Sequence, residues 1–143
     1  MKTLKVENFV FCEDARLEAS GKHVLISAFA PEVDVPLMPG FMPVAIWLSG
    51  VPTETGKFEI DFRVRGPARN TIINGKIDLS VAGLGPTSFT IGPMQLHVTE
   101  AGTYYFEWTF DGKKWEKVAT LQINHVPVAV VARTAASAQP PVI

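Results

Sequence analysis

The densest group of reactive side chains in the chain is Cys12, Glu13, Asp14, Arg16 and Glu18. A cysteine attacks only as its thiolate, which requires a base within hydrogen-bond reach and a stabilising charge nearby. The histidines that could supply the base, His23, His97 and His125, stand at no spacing known to deliver one to Cys12. On an alternating strand Phe9, Phe11 and Glu13 face one way and Val10, Cys12 and Asp14 the other. Cys12 is therefore expected as a small buried hydrophobe with a structural role. Asp14 and Arg16 are also expected to be structural, as a salt-bridged strand end or a turn that caps loose backbone donors. If both are partly buried, Arg16→Ala costs more than the ~1 kcal/mol ceiling of a surface ion pair.

Other combinations are weaker. No pair among the histidines, Cys12 and the carboxylates has finger, knuckle or helix-face spacing, so no metal site is expected. Gly83-Leu84-Gly85-Pro86 lacks the Lys-Ser/Thr and the helix of a phosphate loop, and reads as a turn. No catalytic or cofactor-binding residue is assigned, and no cofactor is expected. Arg63, Arg65 and Arg69 form the nearest approach to a basic patch, the first two on one strand face and the third in the following loop. Without interleaved stacking aromatics they read as a solvated face. Trp47 and Trp108 lie within apolar runs and are expected in the core, whereas Trp115, between Lys114 and Glu116, is expected to be the most exposed ring, with Tyr105 next.

Positioning falls to short elements. Gly and Pro punctuate the 143 residues at short intervals, with runs of Val, Ile, Phe, Trp and Thr between them, which is strand-and-turn spacing. Strands are predicted near residues 4–13, 22–30, 44–50, 57–65, 76–82, 89–99, 103–110 and 115–124. Phe58, Ile60, Phe62 and Val64 alternate with Glu59, Asp61, Arg63 and Arg65, so that strand buries one face only. Tyr104, Phe106, Trp108 and Phe110 put four rings on one face of what should be a central strand. Asp111-Gly112-Lys113-Lys114 predicts a tight hairpin and Asn74-Gly75 a second turn. The four prolines between Ala30 and Val44 predict a loop or crossover. The fold class expected is an all-β, two-sheet antiparallel sandwich of about eight strands over 1–125, followed by an apolar, Pro- and Ala-bearing tail over 126–143.

Composition narrows the partners. The 47% hydrophobic content suits a packed globule, and the net charge of −1 carries no long-range field for nucleic acid or an anionic membrane. One cysteine excludes an internal disulfide and fits a reducing, cytoplasmic setting. No run approaches a membrane span, and Glu7 and Asn8 interrupt any signal-peptide core.

Two resemblances add to this. Glu100-Ala101-Gly102-Thr103-Tyr104-Tyr105-Phe106 resembles the tyrosine corner of immunoglobulin-like domains, which implies that the Tyr104 hydroxyl bonds back to the preceding loop. Trp47 could then stand for the buried strand-C tryptophan. Phe11-Cys12-Glu13-Asp14-Ala15-Arg16-Leu17-Glu18, followed by Gly21-Lys22-His23-Val24-Leu25-Ile26-Ser27, resembles the opening of a family of small bacterial and phage-associated β-sandwich proteins. Its members begin F-C-E-D-x-R-x-E and continue G-K-x-x-L-I-G, with Ser27 departing from the usual Gly. The resemblance implies a fold and a microbial or virion setting, and brings no activity. The expected function is a non-enzymatic interaction or structural module acting through a protein partner or self-assembly. Trp115, Tyr105, Val128, Val130, Val131, Pro140, Pro141 and Ile143 are the candidate contacts. The alternative is a carbohydrate or small-ligand module that stacks on Trp115 and Tyr105.

Overall fold

The computed structural model describes residues 4–29 and 32–126. Nine strands run in chain order: β1 Leu4–Leu17, β2 His23–Ala28, β3 Glu32–Val35, β4 Gly40–Pro52, β5 Gly56–Arg65, β6 Thr71–Val81, β7 Thr87–Val98, β8 Gly102–Thr109 and β9 Glu116–His125. They form a four-stranded sheet, β2-β1-β4-β7, and a five-stranded sheet, β3-β9-β8-β5-β6. The expected sandwich is present. Its order is immunoglobulin-like: β1, β4 and β7 take the places of strands A, B and E, and β9, β8 and β5 those of G, F and C. Among the described residues no helix is long and apolar enough to cross a membrane.

The core lies between the sheets. Strand β8 sits centrally in its sheet, as its aromatic alternation predicts, and sends Tyr104, Phe106 and Trp108 inward to meet Ile46, Leu48, Ile60 and Leu96. Trp108 is 1% exposed and its ring meets Phe89, Phe106 and Phe110. Burial of an aromatic of this size makes truncation to Ala cost about 3–5 kcal/mol. The Tyr104 hydroxyl donates to the Glu100 carbonyl at 2.7 Å, closing the corner that the resemblance implies.

Three expectations need correction. The proline-rich run is not all loop: Glu32–Val35 forms β3, which pairs with β9 in parallel, so the sandwich is not wholly antiparallel. A strand of four residues fits between prolines because it is an edge, with neighbours on one side only. Asn74 and Gly75 make no turn and lie inside β6 opposite Arg63 and Phe62. There glycine answers to space: a Cβ on Gly75 would meet the Phe62 ring at 2.7 Å. Trp47 lies on β4, the B position, only partly buried beside the His23 ring rather than in the core.

The first hairpin departs most from a flat sheet. Val10 pairs with Trp47, and seven residues further along β1 Leu17 pairs with His23. A straight strand would separate those points by roughly 23 Å, yet the His23 and Trp47 ring centroids are 6.5 Å apart. The end of β1 and all of β2 therefore curl back over the outer face of the four-stranded sheet. Beneath this arm Cys12, Ala15 and Ala45 form a second small core with Leu25 against it. The bend falls where the register passes from Cys12–Ala28 to Asp14–Ile26, omitting Glu13 and Ser27, and Ser27 has φ +53°.

Candidate functional site

The alternation of β5 decides which side chains face outward. With Ile60 and Val64 buried in the core, Asp61, Arg63 and Arg65 stand on the outer face, and the register sets Arg63 beside Glu107 and Arg65 beside Tyr105. Arg63 Nε donates to Glu107 Oε1 at 2.7 Å, and Arg65 Nη1 lies 3.6 Å from the same oxygen. One carboxylate thus orients two partly buried guanidinium groups.

Aromatic rings close both ends of this group. The Arg63 guanidinium lies over the Trp115 ring, 4.0 Å from its centroid. At the other end Arg65 Nε donates to the Arg69 carbonyl at 2.9 Å, fixing a turn also held by Arg69 N–H to Gly66 O and Gly66 N–H to Asn70 O. That turn carries the Arg69 guanidinium to 5.5 Å from the Tyr105 ring centroid. Arg69 has φ +64°, a left-handed backbone that costs a non-glycine residue about 1–2 kcal/mol. The result is a continuous outer ribbon: Trp115, Arg63, Glu107, Arg65, Tyr105, Arg69.

This corrects the reading of the arginines as lacking interleaved aromatics. Their rings come from β8 and from the hairpin after it, far away in sequence, and only the register brings them together. Trp115, expected at the surface, is partly buried, with the Arg63 guanidinium over its ring. Its position depends on the hairpin. Asp111 Oδ1 accepts the Lys113 and Lys114 amides at 2.8 and 2.9 Å and the Thr109 hydroxyl at 3.0 Å. The Lys114 and Lys113 amides, with that hydroxyl, hold the Asp111 carboxyl well below the usual carboxylate range.

The residues around Cys12 do not join this surface. Cys12 is 0% exposed, its thiol points to the Ala45 carbonyl at 3.6 Å, and burial, followed by the Asp14 charge, pushes the thiol pKa up. Asp14 and Arg16 pair at 2.9 Å, but Arg16 is 67% exposed. The pair is therefore a salt bridge at the exposed strand end, worth at most about 1 kcal/mol, and the conditional alternative of a buried junction pinned by Arg16 does not hold. Asp14 has the structural role, its Oδ1 accepting the Ala15 amide at 2.9 Å. His23, His97 and His125 stand on β2, β7 and β9, with His97 stacked on Phe41 at 4.6 Å. Among the described residues no group of three or more His, Cys, Asp or Glu converges as a metal site.

Of the other candidate contacts, Val128, Val130, Val131, Pro140, Pro141 and Ile143 lie outside the described residues, as does all of the tail after Val126. A cleft of about 310 Å³ lined by Leu4, Val6, Phe9, Trp108 and Val118 among others had no sequence signal, since its lining comes from β1, β8 and β9, which meet only in the fold.

Among solved structures, the chain is similar to the C-terminal domain of wzt, with a TM-score of 0.49 and 10% identity over 87% of this chain and 75% of that chain. It is also similar to a β-glucosidase from Listeria innocua, with a TM-score of 0.39 and 8% identity over 87% of this chain and 16% of that one. No curated protein matches it. A family model covers residues 7–124, and the chain accordingly belongs to DUF6941, a family of unknown function.

Proposed function

We propose that the protein is a non-enzymatic interaction module that docks an acidic protein segment through the outer face of its five-stranded sheet. The observation that carries this is the ribbon of three arginines and two aromatic rings along that face, with Glu107 holding Arg63 and Arg65. Trp, Tyr and Arg are the residues that dominate binding energy at protein interfaces. The guanidinium groups are already held, so fewer side-chain rotations are lost on binding. The left-handed backbone at Arg69 is compatible with this, since such strain is held where the surrounding contacts over-determine it and clusters at functional sites. The same rings could stack on a sugar, but Arg63 already occupies one face of Trp115, which favours a partner that meets the guanidinium. The setting implied by the family resemblance, a phage particle or a bacterial complex in the cytoplasm, makes the module an assembly component.

The test is a titration of the full-length chain with a polyglutamate peptide, followed by calorimetry and tryptophan fluorescence. Saturable binding is expected, fading as salt is added and weakened several-fold by Arg69→Glu. A saturable response to neutral sugars without one to the peptide, or equal peptide binding by the variant, contradicts the proposal.

A further inference from the structure

The outer face of the five-stranded sheet changes sign along β5. At the end away from the arginines, Glu59, Asp61 and Asp78 surround one ammonium group, Lys76. Lys76 Nζ lies 2.8 Å from Glu59 Oε1, and the register sets Asp61 beside Lys76 and Glu59 beside Asp78. The bond to Glu59 and the charges of Glu59, Asp61 and Asp78 raise the Lys76 pKa. At the other end three bases stand around one carboxylate, Glu107: Arg63 and Arg65 in contact with it and Lys117 opposite it on β9, with Arg69 further out over the Tyr105 ring. The two ends are therefore charge inverses, three acids around a base and three bases around an acid. Glu59 and Arg65 are separated by six residues of one strand, roughly 20 Å.

A face patterned in this way is complementary to itself. A twofold axis between the Asp61–Lys76 pair and the Arg63–Glu107 pair sets the acidic end of one copy on the arginine end of another, and does so twice. Closed twofold pairing is the commonest symmetry of soluble oligomers. From this pattern we infer that the acidic partner of the arginine ribbon is a second copy of this chain, docked face to face. The inference rests on the interaction reading above and names its partner. Exposed ion pairs contribute little individually, so the dimer is expected to be weak and salt-dependent, with Trp115 and Tyr105 supplying the apolar contact.

Sedimentation equilibrium of the full-length chain over a concentration series tests it. Twice the monomer mass is expected at low salt and high concentration, with dissociation tightening at least tenfold as salt is lowered. Exposed residues serve for charge reversal without disturbing the core. Arg69→Glu with Lys117→Glu makes both ends acidic, and Glu59→Lys with Asp78→Lys makes both basic. Each double variant should be monomeric, and the four changes combined in one chain should restore the dimer. A monomeric wild type, a dimer surviving in both double variants, or no rescue by the fourfold exchange overturns the inference. If the wild type is monomeric yet binds polyglutamate, self-pairing fails while the interaction reading stands.

Discussion

Among the described residues two non-glycines stand in the left-handed region, and they make opposite predictions about function. Ser27, φ +53°, lies in the bend of the first hairpin. Ser27→Gly should raise stability by about 1 kcal/mol, because glycine enters this region without the Cβ clash, and should leave peptide binding unchanged. Arg69→Gly should also relieve backbone strain and hold or raise the melting temperature, yet weaken peptide binding, because the guanidinium over Tyr105 is lost. Paired thermal melts and binding isotherms check both, and a loss of stability in either variant would contradict the strain argument. Tyr104→Phe removes a buried hydrogen bond to Glu100 and should cost about 1 kcal/mol in denaturant unfolding. The Tyr104 role was legible because the corner motif is local. The Arg63–Trp115 contact was not, because nothing in either segment encodes the register between β5 and β8.

Elements bring a different set of forces. The turn signal Asn74-Gly75 was overridden because its glycine makes room for the Phe62 ring across the strands, a need that exists only once β5 and β6 pair. The turn at Asp111 was legible because its side chain satisfies amides two and three residues on, which is a local demand. That turn carries a pH dependence. The Asp111 carboxyl is held below its usual range in the folded chain, so the folded state releases this proton more readily than the unfolded one. Its contribution is complete above the unfolded pKa of about 3.9 and is lost as pH falls from there through the folded value. Asp111→Asn should flatten the acid limb of the stability profile, measured by denaturant unfolding between neutral and acid pH; an unchanged limb would contradict this. The curled arm makes its own prediction. Cys12 is sealed beneath it with Leu25, so the thiol reacts only when the arm lifts. Leu25→Ala should speed modification of Cys12 by about tenfold, the equivalent of ~1.4 kcal/mol of lost packing.

For the whole molecule, the sandwich was legible because period-two alternation and an aromatic central strand need no knowledge of partners. The surface was not, because its pattern depends on strand order. Arg63, Tyr105 and Trp115 come from three segments that meet only when β8 enters between β5 and β9. The account therefore turns on whether that assembled face is where the molecule binds. Backbone amide shifts of the labelled full-length chain, recorded as polyglutamate is added, test this most directly. The account predicts saturable shifts confined to the outer-facing positions of β5 and β8, the Gly66–Asn70 turn and residues 113–117. Shifts centred instead on Val6, Phe9 and Val118 in the lateral cleft, or on the edge strand β2, or no shifts at all, would contradict it.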